Sequence, residues 1–131
     1  MCNQTTLYIE KKIDKYYSKY GIKRSLSGSI YLMEALKLCV ADSSLLRSVT
    51  TKLYPMIAQK YNVSSMQVER AIRNLINICY TNNILHDTLL ELVKSEPKAY
   101  NKYYKPSNGE LISLCSWKLK IQLQEEGYID D

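Results

Sequence analysis

Apolar residues recur three and four positions apart along nearly the whole chain, and strand-like alternation persists nowhere. A period near 3.6 puts such residues on one side of a helix, so the chain must bury its apolar stripes by packing helix against helix. Only four Gly and three Pro interrupt the pattern, which predicts long elements and short connections. At 131 residues there is material for one core. The expected fold is all-α, with about six helices including a helix-turn-helix. It forms one domain over 1–131, with loose tails at 1–5 and 126–131.

The breaks place the elements. A first helix spans Thr6 to Tyr20, carries Ile9, Ile13, Tyr16, Tyr17 and Tyr20 on one face, and stops at Gly21. A second follows Ser27–Ser29, with Ile30, Met33, Leu36 and Val40 as its stripe and a break at Asp42–Ser44. A third helical segment covers Ser44 to Leu53 through Leu45, Leu46 and Val49. Pro55 suits a first helical position, where its missing N–H costs nothing, so Pro55 to Tyr61 reads as a short helix ending at Asn62. Ser64 with Gln67 has the spacing of a capping box and opens a helix to Tyr80, closed by Thr81–Asn83. A shorter helix is expected over Asp87–Lys94, then a loop rich in Tyr and Lys over Ser95–Asn108. Ser107 with Glu110 repeats the capping-box spacing and opens a last helix to Glu125.

The short helix, the turn at Asn62–Ser64 and the longer helix form a helix-turn-helix. On the longer helix Val68, Ile72, Leu75 and Cys79 fall on one face, Met66, Arg70, Arg73, Asn74 and Asn77 on the opposite one, and Glu69 at the boundary. The outer residue types are those that read bases. Arg can donate two bonds to guanine O6 and N7, Glu can accept from the cytosine amino group, and Asn can pair with adenine or hold a phosphate. The plain alternative is an ordinary solvated face. A net charge of +5 favours polyanionic partners only mildly. Lys52 and Lys60 lie near the motif, Lys98, Lys102 and Lys105 alternate with Tyr100, Tyr103 and Tyr104, and the free N–H groups at Ser107 and Asn108 suit a phosphate.

The run YLMEALKLCVADSSLLRSVTTKLYPMIAQKYNVSSMQVERAIRNLINI, Tyr31 to Ile78, resembles the DNA-binding effector domain of the stage-zero sporulation master regulator family of Firmicutes. L-Y-P-x-I-A at Leu53–Ala58, V-E-R-A-I-R at Val68–Arg73 and P-S-N-G-E at Pro106–Glu110 carry the resemblance, which extends over about Leu7–Leu123. It implies a six-helix domain that reads a TGTCGAA-like box in double-stranded DNA, often in tandem, with bases contacted at Glu69 and Arg70 and support from Arg73. Gln67 stands where the family tends to be basic, and Asn74 where it tends to have His. The expected base-reading set is Glu69, Arg70 and Gln67. The expected supporting and phosphate set is Arg73, Asn74, Ser65, Lys60, Ser107 and Asn108. The residues ahead of the matching core read as the first helix, so the family's receiver domain is not expected within this sequence, whether it is an excised or a stand-alone effector, and phosphorylation-driven control is not carried over.

Other classes fit less well. His86 is the only histidine and lies beside Asp87, with no Cys–His spacing and no glycine-rich phosphate loop, so neither catalysis, a metal nor a cofactor is expected. The alternative to DNA reading is a protein-interaction module that pairs with the full-length regulator or RNA polymerase, using some of the twelve tyrosines. RNA is disfavoured, because its deep, narrow major groove excludes a reading helix. No apolar run is long enough to span a membrane, and nothing at the start reads as a secretory signal. Cys39, Cys79 and Cys115 read as small core residues and Cys2 as a tail thiol, which fits a reducing cytoplasmic setting.

Overall fold

The computed structural model describes residues 3–82, 84 and 104–129. Its elements are α1 (Asn3–Lys19), α2 (Ser27–Ala41), a 3₁₀ turn (Ser43–Arg47), a π turn (Val49–Leu53), α3 (Tyr54–Tyr61), α4 (Ser65–Thr81) and α5 (Asn108–Glu125). The architecture is all-α, with no strand among the described residues. The helix expected over Asp87–Lys94 lies outside the described residues.

Helix α2 is the axis of the core. It packs against α1, α3, α4 and α5, and its buried positions run through Tyr31, Leu32, Ala35, Leu36, Cys39 and Val40. A helix covered on most sides has no single stripe. The stripe expected from Ile30, Met33, Leu36 and Val40 is therefore corrected: Ile30 faces solvent at 38% exposure, while Leu32 and Ala35, off that stripe, are buried. Helix α1 ends as its glycine dictates. Gly21 takes φ +69°, and the Ile22 N–H reaches back to the Tyr17 carbonyl at 2.8 Å. The buried Tyr17 hydroxyl donates to the Ser29 carbonyl at 2.8 Å, tying α1 to the first turn of α2.

The segment between α2 and α3 is helical but not one α-helix. The Asp42 carboxylate accepts from the Ser44 N–H and hydroxyl, which starts a tight 3₁₀ turn that buries Leu45. The Tyr54 N–H then bonds the Val49 carbonyl, a wider spacing that carries the chain through the β-branched Val49–Thr51 run into α3. Pro55 sits in the first turn of α3, where no N–H is required.

Thr5 and the segment 127–129 pack more closely than expected. Thr5, placed in a loose tail by the sequence, is 1% exposed inside α1. The Tyr128 N–H bonds the Leu123 carbonyl at 2.9 Å, and its ring lies 4.8 Å from that of Tyr8. A single capped turn at the end of α5 thus folds residues 127–129 back onto α1. Cys39, Cys79 and Cys115 are buried and free, and burial pushes their thiols up to about 11, about 11 and about 12, which leaves them protonated and inert. No described helix is long and apolar enough to cross a membrane.

Candidate nucleic-acid interface

The turn between α3 and α4 is built by two residues with opposite duties. Asn62 ends α3 in the left-handed region at φ 56°, ψ 48°, and the Val63 N–H closes back to the Ala58 carbonyl at 3.0 Å. Asn is among the few side chains that tolerate this conformation. Ser64 then caps α4: its hydroxyl accepts from the Gln67 N–H at 3.1 Å, and the Gln67 Oε1 accepts from the Ser64 N–H at 2.8 Å. This reciprocal pair is the box that the Ser64–Gln67 spacing predicts. Ile57, Ala58, Val68 and Ile72 share the core, so α3 holds the start of α4 in a fixed pose.

Helix α4 buries Val68, Ile72, Leu75 and Cys79 as its wheel predicts, and Ile76 in addition. It lies very close to α2. A Cβ built on Gly28 would run into the Ala71 carbonyl and would lie 2.8 Å from the Leu75 Cβ, so only glycine fits this crossing. The opposite face presents Met66, Gln67, Arg70, Arg73 and Asn74 to solvent, with Glu69 and Asn77 half-buried.

The expected site residues on α4 divide by their commitments. Arg73 Nη1 donates to Glu69 Oε1 at 2.9 Å, four residues apart, so each orients the other. Gln67 has spent its carbonyl oxygen on the cap, which leaves its amide N–H groups as donors. Ser65 is half-buried in the first turn. Arg70 and Asn74 make no hydrogen bond or ion pair with any group among the described residues. They line a groove with Ser27, Gly28 and Tyr31 of α2.

A second groove runs along the other side of α4, where Glu69, Arg73 and Asn77 face Thr50 of the π turn, Tyr54 of α3 and the start of α5. Asn108 Nδ2 donates both to the Glu69 backbone carbonyl at 3.0 Å and to the Tyr54 hydroxyl at 3.1 Å. Burial pushes the Tyr54 hydroxyl up, against the pull of this hydrogen bond, so it stays a neutral acceptor. Asn108 is therefore a clamp that joins α3, α4 and α5, a role its sequence position did not disclose beyond lying in P-S-N-G-E. Lys105 Nζ donates to Asn77 Oδ1 at 2.8 Å and lies 5.5 Å over the Tyr80 ring. Ser107 and Glu110 form the second predicted capping box, at 3.2 Å in both directions. The intervening Asn108 and Gly109 N–H groups point out of the helix end, as the first N–H groups of any helix do.

Lys60 is committed elsewhere. Its ammonium lies 2.7 Å from Glu34 Oε1, with Lys37 at 3.5 Å and the Tyr61 hydroxyl donating at 3.3 Å. A phosphate at Lys60 would compete with this pair. Burial pushes the Glu34 carboxyl up, but the Lys60 hydrogen bond and the Lys37 and Lys60 charges outweigh it and hold Glu34 below the usual carboxylate range. Sequence reasoning passed over Glu34, although a lone carboxylate in an otherwise apolar helix, with Lys37 one turn on, was the available signal. Lys98, Lys102, Tyr100, Tyr103 and His86 lie outside the described residues.

Residues 13–119 match the family described as "Sporulation initiation factor Spo0A C terminal". The match contains the helix-turn-helix, the clamp at Asn108 and most of α5, and it falls within the span over which the sequence motifs resemble that family. Most of the chain is therefore accounted for by one family, and the protein belongs to that of the C-terminal domain of the sporulation initiation factor Spo0A.

Proposed function

We propose that the chain reads duplex DNA by seating α4 in the major groove, with Glu69, Arg70 and Gln67 toward base edges. Family membership supplies the coarser statement: this is a DNA-binding effector domain of the sporulation-regulator type, a class of transcription regulators and not of enzymes. The observation that carries the finer reading is the division of labour on α4. Arg70 is exposed and uncommitted beside a capped helix start, while Glu69 is held in place by Arg73. An uncommitted guanidinium next to an oriented carboxylate suits a G·C-containing step, since Arg donates to guanine O6 and N7 and Glu accepts from the cytosine amino group. Arg73, Asn74, Ser65, Ser107 and Asn108 support this pose or meet phosphates, and Lys60 does so only by sharing its charge with Glu34.

The preferred box is TGTCGAA-like, and adjacent boxes would seat copies in tandem. The test is binding of the purified chain to such a duplex and to a scrambled one over a salt series. A preference of about 10³-fold or more, typical of specific readers, supports base reading. Equal, salt-steep binding to both duplexes leaves only backbone attraction. No binding to either supports the other reading, a module that pairs with the full-length regulator or with RNA polymerase.

A further inference from the structure

Helix α1 segregates its charges. Its two carboxylates sit along one edge and are both engaged: Glu10 with Lys37 at 3.8 Å and Asp14 with Arg24 at 3.3 Å. Lys11 and Lys15 fall on the side away from the core residues Ile9, Ile13 and Tyr17, half-buried Lys12 lies at the border of that side, and none of the three has a carboxylate partner among the described residues. Lys12 instead lies 5.6 Å over the Tyr8 ring, and Lys19 lies 5.4 Å over the Tyr20 ring. At the N-terminal end of this face Leu7 is 51% exposed, beside the tilted Tyr8–Tyr128 ring pair. Two shallow hollows lie against the face, one reaching Leu7 and Tyr128 and the other Tyr16 and Gln122, and Lys12 and Lys15 line both.

We infer that this face of α1 is a docking surface for an acidic, amphipathic segment of a partner protein. The lysines stand at helical spacing over about 12 Å from Lys11 to Lys19, a length that a helix bearing carboxylates every fourth residue would match. Charge complementarity sets the sign of the partner, and the exposed Leu7 sets its character. A nucleic-acid backbone, anionic throughout, would leave Leu7 uncovered, whereas an apolar residue at one end of an acidic helix covers it. The surface is formed by α1 and the end of α5 and includes none of the residues assigned to base reading, so it stands whether or not α4 reads DNA.

The test is a titration of ¹⁵N-labelled full chain, followed by amide shifts, with a synthetic helical peptide carrying Glu every fourth residue beside a Leu stripe. The control is its Glu→Gln counterpart. The acidic peptide is expected to move Leu7, Lys11, Lys12 and Lys15 in a saturable way, and the Gln peptide to leave them in place. A Lys11→Gln/Lys15→Gln variant with an unchanged Tm should bind about three- to tenfold more weakly, the loss expected for two exposed ion pairs. Three results would overturn the proposal: no saturable shift on α1, shifts that gather on α4 instead, or α1 shifts produced by a scrambled DNA duplex and not by the peptide. The last would make the face a second nucleic-acid contact.

Discussion

The two grooves that flank α4 treat their polar groups in opposite ways. On the α5 side the groups are mutually satisfied: Arg73 holds Glu69, Asn108 bridges Glu69 to Tyr54, and Lys105 holds Asn77. On the α2 side Arg70 and Asn74 have no partner among the described residues, although they stand over a close helix crossing at Gly28. One side fixes where the helix lies and the other leaves donors free for a ligand. Preorganisation of this kind lowers the cost of binding, because the free groups project from a helix that is already immobile.

The comparison breaks most severely if the crossing under the free side is opened. Gly28→Val should destabilise the fold by about 1–3 kcal/mol or more, since backbone and not a flexible side-chain end blocks the new atoms. Thermal unfolding measures this, and a Tm equal to that of the parent would mean that the helices do not meet as described. Arg70→Ala should leave stability unchanged and cost about 1–3 kcal/mol toward the preferred duplex, with little effect on scrambled DNA. Asn108→Ala, on the tied side, should do the reverse. It should lower stability by about 1–2 kcal/mol through two lost hydrogen bonds and weaken both duplexes alike. If Asn108→Ala left stability intact and only reduced the salt slope, Asn108 would be a phosphate ligand and not a clamp.

A smaller effect concerns the anchoring of α3. Glu34 is held below its usual carboxylate range by Lys60 and Lys37 despite its burial. A depressed folded-state value means that its contribution is complete above the unfolded value of about 4.3 and is lost as pH falls through the folded one. Stability measured from neutral pH downward should therefore decline below about pH 4.3, and Glu34→Gln should remove part of that decline. A variant whose stability is as pH-dependent as the parent's would show that the Glu34–Lys60 contact does not tie α3 to α2.

The elements with local signals were legible in the sequence. Both capping boxes, the Asn62 stop, the Pro55 start and the buried face of α4 are written in short-range patterns that tertiary packing reinforces. What was missed depends on neighbours distant in the chain. Periodicity suggested a stripe for α2, but four helices and the 3₁₀ turn surround it and the stripe dissolves. The run from Ser44 to Leu53 read as one helix because 3₁₀, α and π turns share a hydrophobic pattern and differ only in which carbonyl each N–H reaches. The candidate reading residues were legible as types. Which of them are free and which are tied was not, because Asn108 lies 39 residues from Glu69 and Lys60 lies 26 from Glu34.

Base reading as proposed depends on the uncommitted Arg70 meeting a guanine edge. Its most direct test is a double-mutant cycle that pairs Arg70→Ala with 7-deazaguanine substitution at each guanine position of the TGTCGAA-like box, with affinities measured at one salt concentration. At one position the base change should weaken the parent protein by about 1–3 kcal/mol and leave Arg70→Ala unaffected, because the N7 acceptor has no partner left to lose. Additive losses at every guanine would contradict the account and leave α4 positioned on the DNA without Arg70 reading it.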